Sequence, residues 1–253
     1  MGFNRFLPLL VPVSAFIFLE LYFFKPSLVF VYSLFFLLFV FFSLREFINK
    51  STKKEHLFNF YLFPFLSFVL VVAFTAILSS RFLIQLIFVL EFIFLYNYFK
   101  TIYYKLLNPV KFKNRYLKNF SAYTNFVLFY FLSSIIYAYQ IYLKINFLIL
   151  LFFFLIFSFL IVYQVFWSNE LYRKENLFYI FLVVLCFLEI AWVVSFMSLN
   201  YYILGLLVSI SYYIIIGLSR FFLLDKINKQ IIKSYLVFGF LSIIFVLLTA
   251  RWI

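Results

Sequence analysis

Apolar residues in this chain form long runs, and charged or turn-forming residues gather in short breaks between them. The runs are 17 to 22 residues long and cover 6–24, 28–44, 57–78, 82–99, 121–142, 146–167, 177–197, 201–218 and 234–250. A helix rising about 1.5 Å per residue needs this length to cross a hydrocarbon layer about 30 Å thick. The pattern therefore predicts an all-α fold, a polytopic transmembrane helical bundle of nine spans forming a single integral membrane domain over residues 1–253. Two breaks, Lys25-Pro26-Ser27 and Ser198-Leu199-Asn200, are short and rich in turn-forming residues, so each predicts a tight antiparallel hairpin.

Composition removes the soluble alternatives. Of 253 residues, 68% are hydrophobic and 11% charged, against about 45–50% and about 25% in soluble domains. The 45 phenylalanines, with abundant Tyr, Ile, Asn and Lys, follow the bias of a genome poor in G and C, so single phenylalanines carry little weight. The opening MGFNRFLPLLVPVSAF mimics a secretory signal with Val13-Ser14-Ala15 as a cleavage site. Because the apolar run continues through Phe24, it reads as an uncleaved first span, kinked at Pro12. Gly2 is no myristoylation site, since position 6 is Phe rather than Ser or Thr.

Charge sets the orientation. Seventeen of the 21 basic residues fall in alternate breaks, and the opposite breaks hold only Lys25, Arg81, Lys144 and Arg251. Short loops rich in Lys and Arg stay cytoplasmic, which predicts a cytoplasmic amino terminus and an external carboxyl terminus in the cytoplasmic membrane. The net charge of +13 then lies mainly on one face, where attraction to anionic lipid headgroups is worth about 1 kcal/mol per basic residue. Nucleic acid is a poor partner for loops so short and divided. Two basic segments suit the membrane interface. One is KTIYYKLLNPVKFKNRYLKN from Lys100; the other is SRFFLLDKINKQIIKS, where Phe221, Leu224, Ile227 and Ile231 recur at helical spacing.

Three of the eight acidic residues fall inside spans: Glu20, Glu91 and Glu189. A charge at the centre of a span costs about 2.5–3.5 kcal/mol, so such groups should face other helices or become protonated. With the spans as drawn, Glu20 lies four residues from the outer end of its span, Glu189 eight and Glu91 nine, and the three could share one outward-opening cavity. Their settings, FLEL, VLEF and FLEI, recur at three-span intervals as a triplicated unit would, although Leu and Phe are frequent enough to produce such matches unaided. Trp192 and the lone Cys186 lie three residues either side of Glu189, on its face. Cys186 can form no internal disulfide and reads as a small core residue. Gly205 and Ser209 form a small-xxx-small pair that lets another helix approach.

Much ordinary chemistry is excluded. His56 is the single histidine, which rules out two-histidine metal sites, haem ligand pairs and a Ser-His dyad within the membrane. No span contains Asp, and neither a P-loop nor Gly-x-Ser-x-Gly occurs. These absences predict no enzyme, no metal and no cofactor. LEIAWVVSFMSLNYYILGLLVSISYYIIIGLSR, YLVFGFLSIIFVLLTARWI and FLELYFFKPS resemble uncharacterised polytopic membrane proteins of unknown function from reduced-genome bacteria of candidate phyla. That resemblance implies a membrane location. Two functions remain: a structural or assembly subunit with a membrane-protein partner, whose glutamates join helices, or a small proton- or cation-linked transporter whose glutamates carry the ion.

Overall fold

The computed structural model describes residues 6–49, 57–107, 114–171 and 176–250. Among these, nine α-helices follow one another: α1 Leu7–Phe24, α2 Val29–Asn49, α3 Leu57–Thr75, α4 Arg81–Leu107, α5 Asn114–Leu143, α6 Phe147–Ser168, α7 Leu177–Val194, α8 Tyr201–Leu223 and α9 Lys229–Thr249. Eight helices are long and apolar enough to cross a membrane, while α1 carries a shorter apolar stretch, Pro8–Phe24. The chain is a multi-pass helical membrane protein. Of the basic residues used for orientation, Arg5, Lys50, Lys53, Lys54, Lys111, Lys113, Arg173, Lys174 and Arg251 lie outside the described residues, as do Gly2, Glu55 and His56.

Asparagine starts three helices. The side chains of Asn146, Asn200 and Asn228 accept from the amides of Leu148 (2.9 Å), Tyr202 (3.4 Å) and Ile231 (2.7 Å), satisfying donors that the first turns of α6, α8 and α9 leave open. Non-glycine residues in the left-handed region follow the ends of α5, α6 and α8: Lys144, Glu170 and Asp225. At α6 the Leu171 amide donates to Phe166 (2.9 Å) and Glu170 to Trp167 (3.0 Å), the paired bonds of a Schellman closure. At α8 the matching bonds run from Lys226 to Phe221 and from Asp225 to Phe222, both 3.0 Å.

The α8 closure corrects one expectation. The amphipathic pattern through Phe221, Leu224, Ile227 and Ile231 is not a continuous helix, because Asp225 at φ 54 ends α8 and Asn228 starts α9. Aspartate tolerates the left-handed region, so the chain turns without glycine. Of the basic segment from Lys100, the first part continues α4 through Leu107 and the last part opens α5 at Asn114, while 108–113 lie outside the described residues. At 27 residues α4 is about 40 Å long, enough to carry its last turns past the hydrocarbon.

The chain divides into two compact units, Met1–Thr124 and Asn125–Ile253. In the first, α1 packs against α2 and α4, α2 against α3, and α3 against α4. A one-turn 3-10 segment, Pro26–Leu28, makes the expected tight hairpin between α1 and α2. Phe36 stacks on Phe68 with ring centres 4.2 Å apart, and Tyr98 packs against Phe63 and Phe120. Pro64 lies within α3 and has no amide hydrogen for the carbonyl of Phe60, four residues earlier. The Tyr98 hydroxyl of α4 donates to that carbonyl at 2.8 Å and restores the missing bond.

In the second unit Phe129 of α5 meets Phe154 of α6, Phe187 of α7 and Tyr212 of α8, the last stacked at 4.3 Å. The Tyr137 hydroxyl donates 2.8 Å to the Ala191 carbonyl, tying α5 to α7. Gly205 makes the close approach expected of a small residue. A Cβ there would overlap the Ser134 hydroxyl and lie 2.9 Å and 3.0 Å from the Ser134 nitrogen and Cα. On the other side of α8, Gly217 receives the ring of Tyr235 from α9, and Gly239 of α9 receives Ile214.

Candidate functional site

Each unit holds its own polar groups. In the first unit, Glu91 sits ten residues into α4, about 15 Å along its axis from Arg81. It is 1% exposed, and neither carboxyl oxygen has a hydrogen-bond partner among the described residues. The Ser67 hydroxyl of α3 lies beside it, but its proton goes to the Pro64 carbonyl at 3.2 Å. One antiparallel register explains this pairing. Glu91 faces Ser67 as Tyr98 faces Phe60, seven residues further on in α4 and seven back in α3, so one face of α4 serves both sides of the Pro64 interruption.

Glu20 is half-buried on α1 and accepts from Gln85 Nε2 of α4 at 3.2 Å. Gln85 precedes Glu91 by six residues, about 9 Å along α4 and on another side of the helix. Glu20 is thus held by an amide near the Arg81 end, while Glu91 lies deeper and faces α3. A cavity of about 270 Å³ between α1 and α4 is lined by Val13, Phe16, Ile17, Val89 and Phe92, all apolar. Interhelical hydrogen bonds in membranes contribute about 0.6–2 kcal/mol, so Gln85→Leu should lower first-unit stability by that amount. Thermal unfolding in detergent measures it, and an unchanged midpoint would show that the Glu20 contact contributes nothing.

In the second unit, Asn125 of α5 and Gln164 of α6 are both buried, and the Asn125 amide donates to the Gln164 carbonyl oxygen. Asn125 lies within the run 121–142 and Gln164 within 146–167, and neither is among the three carboxyls that the sequence marks as unusual. The available signal was an amide at the fifth position of the run 121–142, whose only economical burial is against another amide or a carbonyl. A second cavity, of about 370 Å³, lies where the turn after α7 meets α5 and α8, with Gln140, Ser195 and Ser198 as its polar lining.

Glu189 has a different setting. It is exposed on α7, five residues and about 8 Å before the helix ends at Val194. Trp192 shares that exposure at 54%, and its ring meets Phe196 at 6.1 Å. Cys186 lies on the same exposed face, so it is not the small core residue that the apolar run suggested. Helical geometry accounts for this, because Phe187 and Ala191 point into the unit and turn positions 186, 189 and 192 outward. Among the described residues, no group of three or more His, Cys, Asp and Glu could hold a metal ion.

No family model matches the chain, and no curated protein or solved structure matches it either. Inference about function therefore rests on the packing of its own side chains.

Proposed function

We propose that this protein is a structural or assembly subunit of the cytoplasmic membrane, which docks a helix of another membrane protein on the exposed face of α7. The observation that carries the reading is Glu189, a carboxyl exposed within a transmembrane helix beside Cys186 and Trp192. Lipid tails offer a carboxyl no hydrogen bond, and groups of this kind in membranes turn toward protein or water. The partner chemistry is a transmembrane helix with a hydrogen-bonding side chain at the depth of Glu189. Basic residues at the helix ends hold the protein against anionic headgroups.

The transport reading retains one observation in its favour, the buried carboxyl of Glu91, whose oxygens have no partner among the described residues. The first-unit cavity beside α4 is lined by apolar residues alone, and assembly is the reading we adopt.

A photoreactive phenylalanine in place of Trp192, activated in native membranes, tests it. The expected product is a protein adduct of one discrete mass, retained when Glu189→Gln is added and lost with Glu189→Leu. Adducts to lipid alone would overturn the assembly reading.

A further inference from the structure

Glu91 is the one carboxyl buried among the described residues, and the Ser67 hydroxyl beside it is buried as well. A hydroxyl has one proton to donate and two lone pairs that accept. Ser67 gives its proton to the Pro64 carbonyl, at 3.2 Å, and leaves the carboxyl without it. An ionised Glu91 would draw that proton to itself, because a charge-assisted hydrogen bond is about twice as strong as a neutral one. The observed direction suits a neutral acid, whose own O–H finds the Ser67 oxygen as its acceptor.

The other ionisable groups on the helices that pack against α4 are placed or occupied elsewhere. On α1, Glu20 is bonded to Gln85, Tyr22 pairs with Thr75, eight residues beyond Ser67, and Lys25 is exposed in the turn that follows. On α2, Phe36 marks the level of Ser67 by stacking on Phe68. Tyr32 lies about 6 Å from Phe36 along the axis, and Arg45 and Glu46 lie about 14 and 15 Å from it. On α3, Tyr61 donates to the Leu37 carbonyl. On α5, which meets α4 where Phe120 packs on Phe94, Tyr123 is exposed and Lys118, two residues before Phe120, is on another side of the helix. On α4 itself Lys100 and Arg81 are about 14 and 15 Å away. Tyr96 carries Lys100 over its ring, and Tyr98 serves Phe60. A metal ion takes four or more ligands, and one carboxyl with one hydroxyl falls short of that. The cation that fits is the proton.

We propose that Glu91 and Ser67 form a proton-binding site between α3 and α4, at which loss of the Glu91 proton swings the Ser67 hydroxyl from the Pro64 carbonyl to the carboxylate. Glu91 binds the proton, and Ser67 is a positioning residue. One proton leaves for solvent, and one hydrogen bond breaks as another forms. The Pro64 carbonyl can spare the hydroxyl, because within α3 it also accepts from the amide of Phe68. A single proton thus decides whether the two helices meet here through a neutral pair or through a charge that must draw in water. The inference concerns the first unit and is independent of the docking proposed for α7.

Infrared difference spectroscopy on the full chain in phosphatidylcholine vesicles tests it, because a protonated carboxyl has a C=O band that a carboxylate lacks. The expected result is an acid band that persists at neutral pH, where solvated carboxylates are ionised, and that disappears in Glu91→Gln. Bands from Glu20 or Glu189 are told apart by the same substitution there. In Ser67→Ala the band should shift in frequency. The proton concentration at which it is half lost should also fall about 10-fold, since the charged form loses a stronger bond than the neutral form does. A serine that only fills space would leave that half-loss point where it is. Unfolding midpoints confirm that the variants are folded. Should Glu91→Gln fail to fold, the frequency shift in Ser67→Ala assigns the band, because a carboxyl elsewhere would not feel the change. An absent acid band at neutral pH, a band that survives Glu91→Gln, or a half-loss point unmoved by Ser67→Ala overturns the proposal.

Discussion

Gly205→Leu is expected to destabilise the second unit by about 3 kcal/mol or more, read as a lowered unfolding midpoint in detergent. The effect should be large because of what the new side chain meets. A Cβ alone would stand 2.9 Å from the Ser134 nitrogen and 3.0 Å from its Cα, and these atoms belong to a helix whose residues from Phe131 to Ala138 are buried. Neither helix can move without disturbing the stack of Phe129 on Tyr212 nearby. Gly217→Ala and Gly239→Ala provide the contrast. They meet the ring of Tyr235 and the end of Ile214, side chains that can turn aside, so each should cost about 1 kcal/mol. Equal losses at all three positions would show that backbone contact at Gly205 is not what limits its size.

Tyr98→Phe should cost about 1–3 kcal/mol, the penalty for deleting a buried hydrogen bond to the Phe60 carbonyl. The loss should depend on a residue that Tyr98 does not bond. Pro64 prevents α3 from bonding the Phe60 carbonyl itself, and the tyrosine hydroxyl supplies that bond at 2.8 Å. In a Pro64→Ala background the amide gained at that position can complete the helix, and Tyr98→Phe should then cost less than about 0.5 kcal/mol. A double-mutant cycle measured by thermal unfolding gives the coupling directly. If Tyr98→Phe costs the same in both backgrounds, the hydroxyl serves some other purpose.

The helices were legible because the physics that forms them is local. A run of apolar residues long enough for the bilayer must satisfy its own backbone, and the helix is the one way a single segment can do so. The breaks were less legible. Asp225 ends α8 through left-handed geometry that apolar periodicity does not register, so the pattern from Phe221 to Ile231 read as one helix when it is two. Among the candidate residues, sequence shows that Glu20, Glu91 and Glu189 are unusual but not which way each faces. A run apolar on all sides contains no phase, and phase separates the buried Glu91 from the exposed Glu189. Gln85, Asn125 and Ser67 became informative once neighbouring helices supplied Glu20, Gln164 and Glu91.

The bond between Tyr98 and Phe60 also bears on biogenesis. While the ribosome has delivered α3 but not α4, the nascent span lacks the donor that Tyr98 brings to the Phe60 carbonyl. Hydrocarbon offers a carbonyl no donor in place of that hydroxyl. The five residues between the two helices, Ala76 to Ser80, keep α4 beside α3 as it follows, so the donor arrives with the next span to be made.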